Sequence, residues 1–190
     1  MKKWLTVGGW LLLCLTACKD NATNSKNFVS IPSLIEAQVA HVDTSLYSIT
    51  RYDYRGTDTV AFDTIYVSRE AFRKEAKAFL ALPDLSLPRH AKRFREESLY
   101  DEMLKKVIIT YLPINSKNEE IQKEELQITP DLAQGDKVAA ILASKVINDR
   151  NGLRQEELLW LMDKSFTIVR TTQLPGQPPE LITTKVIWNQ

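Results

Sequence analysis

Leu34, Ile35, Val39 and Val42 recur at the spacing of one helical face, and Ser33 to Glu36 forms a capping box with Pro32 just ahead. This predicts a helix over 33–43. Ser45 to Tyr54 and Thr59 to Val67 are rich in Tyr, Thr, Ile, Val and Phe, and Arg55-Gly56-Thr57-Asp58 supplies turn chemistry between them. A β-hairpin follows. Ser68 is placed to cap a second helix over 69–82, with Phe72, Ala76, Phe79 and Leu80 on one face and Pro83 as its stop. Leu82 to Phe94 holds no sustained period, and Glu96 to Leu104 reads as a short helix or an irregular turn.

Beyond residue 105 the pattern changes to strands. They are expected at Lys106 to Leu112, Ile121 to Thr129, Lys137 to Asn148, a run ending near Thr172, and Leu181 to Trp188. Leu153 to Met162 mixes strand-like aliphatics with the helix-favouring Gln-Glu-Glu-Leu-Leu, so strand is expected there only from Leu158 onward. Short polar, Gly- or Pro-containing connections favour an antiparallel meander, because parallel neighbours need crossovers of a dozen residues or more. Lys137 to Asn148 places apolar residues at both parities, which predicts a central strand covered on both sides. The expected fold is α+β: a curved antiparallel sheet of about six to seven strands packed by two or three helices.

The first residues follow a different grammar. Lys2 and Lys3, an apolar stretch from Trp4 to Leu15, and small residues at Thr16 and Ala17 have the three parts of a secretory signal. The stretch is too short for a permanent transmembrane helix, which needs roughly 20 apolar residues. Leu15-Thr16-Ala17-Cys18 resembles the lipobox of bacterial lipoproteins. The resemblance implies that a diacylglycerol is attached to the Cys18 thiol and that cleavage occurs just before it. Residues 1–17 would then be signal peptide, 18–30 the lipidated cysteine and a flexible linker, and 31–190 a single domain. Lys19, not Asp, follows Cys18, which in that family's sorting logic favours the outer membrane over the inner one. Cys18-Lys19-Asp20 also resembles a truncated surface-export tract, leaving periplasmic face and cell surface both open.

Composition narrows the chemistry. Cys14 lies within the signal and no cysteine follows Cys18, which excludes a thiolate metal cluster and cysteine catalysis in the folded part. Losing Lys2 and Lys3 with the signal leaves 23 basic residues against 24 acidic ones, so no broad field attracts nucleic acid. His41 and His90 belong to no metal-binding pattern, no serine sits in a Gly-x-Ser-x-Gly elbow, and no Gly-rich phosphate loop exists. No catalytic residue, metal or cofactor is assigned. The pairs Glu96-Glu97, Glu119-Glu120, Glu124-Glu125 and Glu156-Glu157 read as solvated surface, because neighbours on a strand face opposite ways. Arg89, Lys92, Arg93 and Arg95, followed by Glu96 and Glu97, read as an internally paired segment. Trp160, Trp188, Tyr47, Tyr52, Tyr54, Phe62 and Tyr66 are expected in the core.

The function expected is that of a non-enzymatic, lipid-anchored envelope domain that binds a protein partner or assists an envelope assembly. Its membrane contact is through acyl chains on Cys18. The alternative is a carrier of an apolar ligand or lipid in a cavity between sheet and helices, as in the half-barrel lipoprotein-localisation factors, a likeness of fold alone. A hydrolase with acids on scattered loops is a third reading.

Overall fold

The computed structural model describes residues 28–189. The signal, the lipobox and Cys18 lie outside the described residues. Helix α1 (Ile31–Thr44) precedes a hairpin of β1 (Ile49–Arg55) and β2 (Asp63–Val67), and short helices α2 (Arg69–Glu75), α3 (Lys77–Leu80) and α4 (Pro88–Ala91) follow. The rest of the chain is a meander: β3 (Phe94–Asp101), β4 (Lys106–Pro113), β5 (Ile121–Thr129), β6 (Lys137–Asp149), β7 (Gly152–Leu161), β8 (Ser165–Gln173) and β9 (Glu180–Ile187). All neighbours are antiparallel, and β1 joins the meander by pairing with β9, so one sheet runs β2-β1-β9-β8-β7-β6-β5-β4-β3.

The expected α+β class and antiparallel sheet are present, with nine strands and four helices in place of six or seven and two or three. Two further strands come from segments expected otherwise. Glu96 to Leu104, read as helix or turn, lies largely in β3, whose charged residues suit an edge strand with little to bury. Leu153 to Glu157 is strand too: β7 pairs along its length with β6 on one side and β8 on the other. Ladder bonds on both sides outweigh the small helix preference of Gln155, Glu156 and Glu157. The long run to Thr172 is divided by a turn after Leu161, where Asp163 adopts φ +58°.

At the start of α1 the cap is Ser30, not Ser33: the Ser33 amide donates to Ser30 Oγ at 3.4 Å. Pro32 falls in the first turn, where a missing N–H costs nothing. Glu36 is thereby released from the expected capping box and accepts from Arg73 Nη1 of α2 at 3.0 Å. Ser68 caps α2 as expected, and Phe72, Ala76 and Phe79 are fully buried. Phe28 is buried, stacking on Tyr111 with centroids 4.5 Å apart, and the Val29 N–H donates to Tyr111 Oη at 2.9 Å. The packed unit therefore includes Phe28 to Ser30, which a boundary at residue 31 leaves outside.

Directly opposed residues share a face, so the register sorts the sheet into rows. Val186, Phe166, Trp160, Ile141 and Leu126 form one row from β9 to β5, and all are buried. Phe72 and Phe79 descend onto it, with ring centroids 5.0 Å apart for Phe79 and Trp160 and 5.1 Å apart for Phe72 and Trp188. Trp160 and Trp188 are core, as expected, whereas Phe62 and Tyr66 are exposed, Tyr66 on β2 at the edge of the sheet.

The β6–β7 turn depends on Gly152. It adopts φ +126°, and a Cβ there would meet the Gln173 carbonyl oxygen at 2.3 Å. Gly152→Ala is expected to lower stability by roughly 1–3 kcal/mol. Gly176→Ala is the comparison: φ is +73° but the surrounding space is open, so the loss should be smaller. Urea unfolding of the two variants checks the order.

Candidate functional site

The two faces of the sheet differ in what they offer. The buried row described above is flanked by Asp53, Thr184, Ile168, Leu158, Ala143, Glu124 and Tyr111, one from each strand between β1 and β4, all buried. Two of these positions are acidic, and they are treated differently. Asp53 accepts from Thr184 Oγ1 at 2.6 Å and pairs with Arg51 Nη2 at 2.7 Å. Glu124 has no exposure, and neither carboxylate oxygen has a hydrogen-bond partner among the described residues. Burial pushes its carboxyl up to about 8, and the Asp84 carboxylate adds to the rise. Glu124 is therefore a neutral carboxylic acid at pH 7, held between Ala143 and Tyr111.

This corrects the reading of Glu124-Glu125 as a solvated pair. The signal was in the period-two pattern: Leu126 and Ile128 lie two and four residues beyond Glu124 on the same parity. The other pairs behave more nearly as expected. Glu96 and Glu97 are exposed on the edge strand, and Glu119 accepts from Arg93 Nη1 at 2.7 Å. Glu156 and Glu157 face opposite ways, bonded respectively to Arg170 and Ser144 at 2.8 Å each. Of the basic segment, Arg95 pairs internally, on Glu97, whereas Arg93 pairs outside it, on Glu119. His41 is exposed beside Tyr47, and His90 accepts from Arg89 Nε at 3.0 Å. Among the described residues no three His, Cys, Asp or Glu side chains form a metal-holding group.

Among the described residues nothing covers the face opposite the helices, where β6 is half-buried and not buried on both sides as expected. Its central row runs Tyr52, Lys185, Thr167, Leu159, Leu142 and Glu125, all half-buried. Val169 lies in the adjoining row, again half-buried, and Leu161 and Leu99 are exposed farther along. β6 keeps apolar residues at both parities because Ala140 is sheltered by its neighbours and Leu142 contributes to this outer surface. Lys123 and Glu125 pair on it at 3.2 Å, so the face mixes aliphatic, aromatic and charged groups.

No family model, curated protein or solved structure matches this chain. Between helices and sheet, where a carrier would need a cavity, Phe72, Phe79, Trp160, Phe166 and Trp188 pack ring against ring. No helix among the described residues is long and apolar enough to cross a membrane.

Proposed function

We propose that the protein is a lipid-anchored lipoprotein of the bacterial outer membrane that works without catalysis, binding a protein partner through the uncovered face of its sheet. The observation that carries the partner reading is that face, on which Leu142, Leu159 and Val169 interleave with Tyr52, Lys185 and Glu125. Contiguous apolar surface rimmed by polar groups marks interaction sites, and an aromatic and aliphatic centre with matched charges suits a protein better than a bare lipid surface. The anchor rests on the lipobox resemblance at Cys18, whose acyl chains would hold the domain at the bilayer.

Two readouts in the producing bacterium test the two parts. Cys18→Ser should abolish incorporation of labelled palmitate, and retained label would overturn the anchor. A photo-crosslinking residue at Leu142 or at Leu159 should each yield an adduct with the same protein, whereas the same residue at Lys92 beside α4 should not. Absence of adducts from the folded variants, or equal adducts from both faces, would overturn the partner face.

A further inference from the structure

Past the apolar rows, the helix-covered face turns polar. Arg170, Glu156 and Lys145 oppose one another on β8, β7 and β6, and α2 and α3 stand over this end as a wall. Between wall and sheet lies a groove of about 410 Å³, within the range of small-molecule sites.

Its charges are unevenly matched. Glu75 pairs with Arg51 at 3.3 Å, Glu156 with Arg170 at 2.8 Å, and Lys145 with Glu120 at 3.2 Å. Lys74 and Lys77, one helical turn apart on the wall, have no carboxylate within pairing distance among the described residues. A second mismatch lies deeper: Arg51 Nε is buried and has no acceptor among the described residues, although its two terminal nitrogens are bonded to Asp53 and Glu75. A buried donor left unsatisfied costs free energy that an incoming acceptor would recover. Ile168, Ala78 and Ala81 provide an apolar patch beside Thr184.

We propose that this groove binds a small anionic sugar, a uronic acid or a sugar phosphate. The acid group lies between Lys74 and Lys77, whose ammonium groups donate charge-assisted hydrogen bonds to it. The hydroxyls donate to the carboxylates of Glu75 and Glu156, which line the groove beside Arg51. The C–H face of the ring lies on Ile168 and the two alanines. Neutral sugars lack the acid group, and inorganic phosphate lacks the body that fills the groove. This proposal is independent of the partner face, which lies on the other side of the sheet.

Titration calorimetry of the folded protein with glucuronate, glucose 6-phosphate, glucose and inorganic phosphate tests it. Glucuronate and glucose 6-phosphate should bind, and each should bind at least about tenfold more tightly than glucose or phosphate, the factor that about 1.4 kcal/mol represents. Lys74→Gln with Lys77→Gln should weaken the acidic sugars by about tenfold or more. Both lysines are exposed, so the double variant should keep the wild-type thermal transition, which circular dichroism verifies. Absence of binding, phosphate binding as tightly as glucose 6-phosphate, or undiminished affinity in the folded double variant would each overturn the proposal.

Discussion

Glu124→Leu is expected to stabilise the protein at neutral pH, and the gain should grow as pH rises. The folded carboxyl titrates at about 8, against an ordinary value of 4.5 for a free Glu. Below pH 4.5 both folded and unfolded chains hold the proton, so the group imposes no penalty from ionisation. Between pH 4.5 and 8 the unfolded chain releases it while the folded chain keeps it, and the native state loses stability as pH rises. Above about 8 the folded group ionises as well, and the loss levels off. Linkage puts the loss on the order of 3 kcal/mol at pH 7 and under about 1 kcal/mol at pH 5. Urea unfolding of wild type and variant at the two pH values gives the difference directly. A gain that is equal at pH 5 and pH 7 would show that Glu124 is not held neutral.

The second large effect concerns Trp160. Its ring centroid lies 5.0 to 5.2 Å from those of Phe79, Phe166 and Trp188, on the row where the short helices meet the sheet. Trp160→Ala should cost about 3–5 kcal/mol, because helices and strands converge there and none can move to fill the space without breaking another contact. Trp160→Phe should cost much less. It keeps an aromatic face and removes an indole N–H that is buried without an acceptor among the described residues. Near-ultraviolet circular dichroism and denaturant unfolding should rank Ala well below Phe; equal losses would place the energetic centre of the core elsewhere.

What could be read in advance followed from how far each segment's periodicity survives its surroundings. Ile121 to Thr129 was legible because Leu126 and Ile128 alternate with polar residues and Pro130 closes the run, and its observed bounds match. β3 was not, because an edge strand exposed on both faces loses the alternation that marks strands. The β7–β8 turn was hidden for a different reason: Met162-Asp163-Lys164 holds neither Gly nor Pro, and Asp163 takes the left-handed conformation that its short polar side chain tolerates. At the candidate sites, the period-two spacing of Leu126 and Ile128 carried a signal for Glu124, but the adjacent carboxylates outweighed it and the pair read as solvated surface. Local spacing could not reach the groove, whose residues come from β1, α2, α3 and four strands of the meander and meet only through pairing between distant segments.

That distant pairing governs how the chain reaches its native state. Thr50 lies opposite Ile187, so the first strand finds its partner only when the last is present. Strands β3 to β9 form hairpins with immediate neighbours and can assemble early, but β1 and β2 must then close a loop spanning most of the chain, a slow step. Until it closes, the edge of β9 is an open template for other chains. Loss of β9 would therefore strand the amino-terminal hairpin as well, coupling the fate of both ends to a single late event in folding.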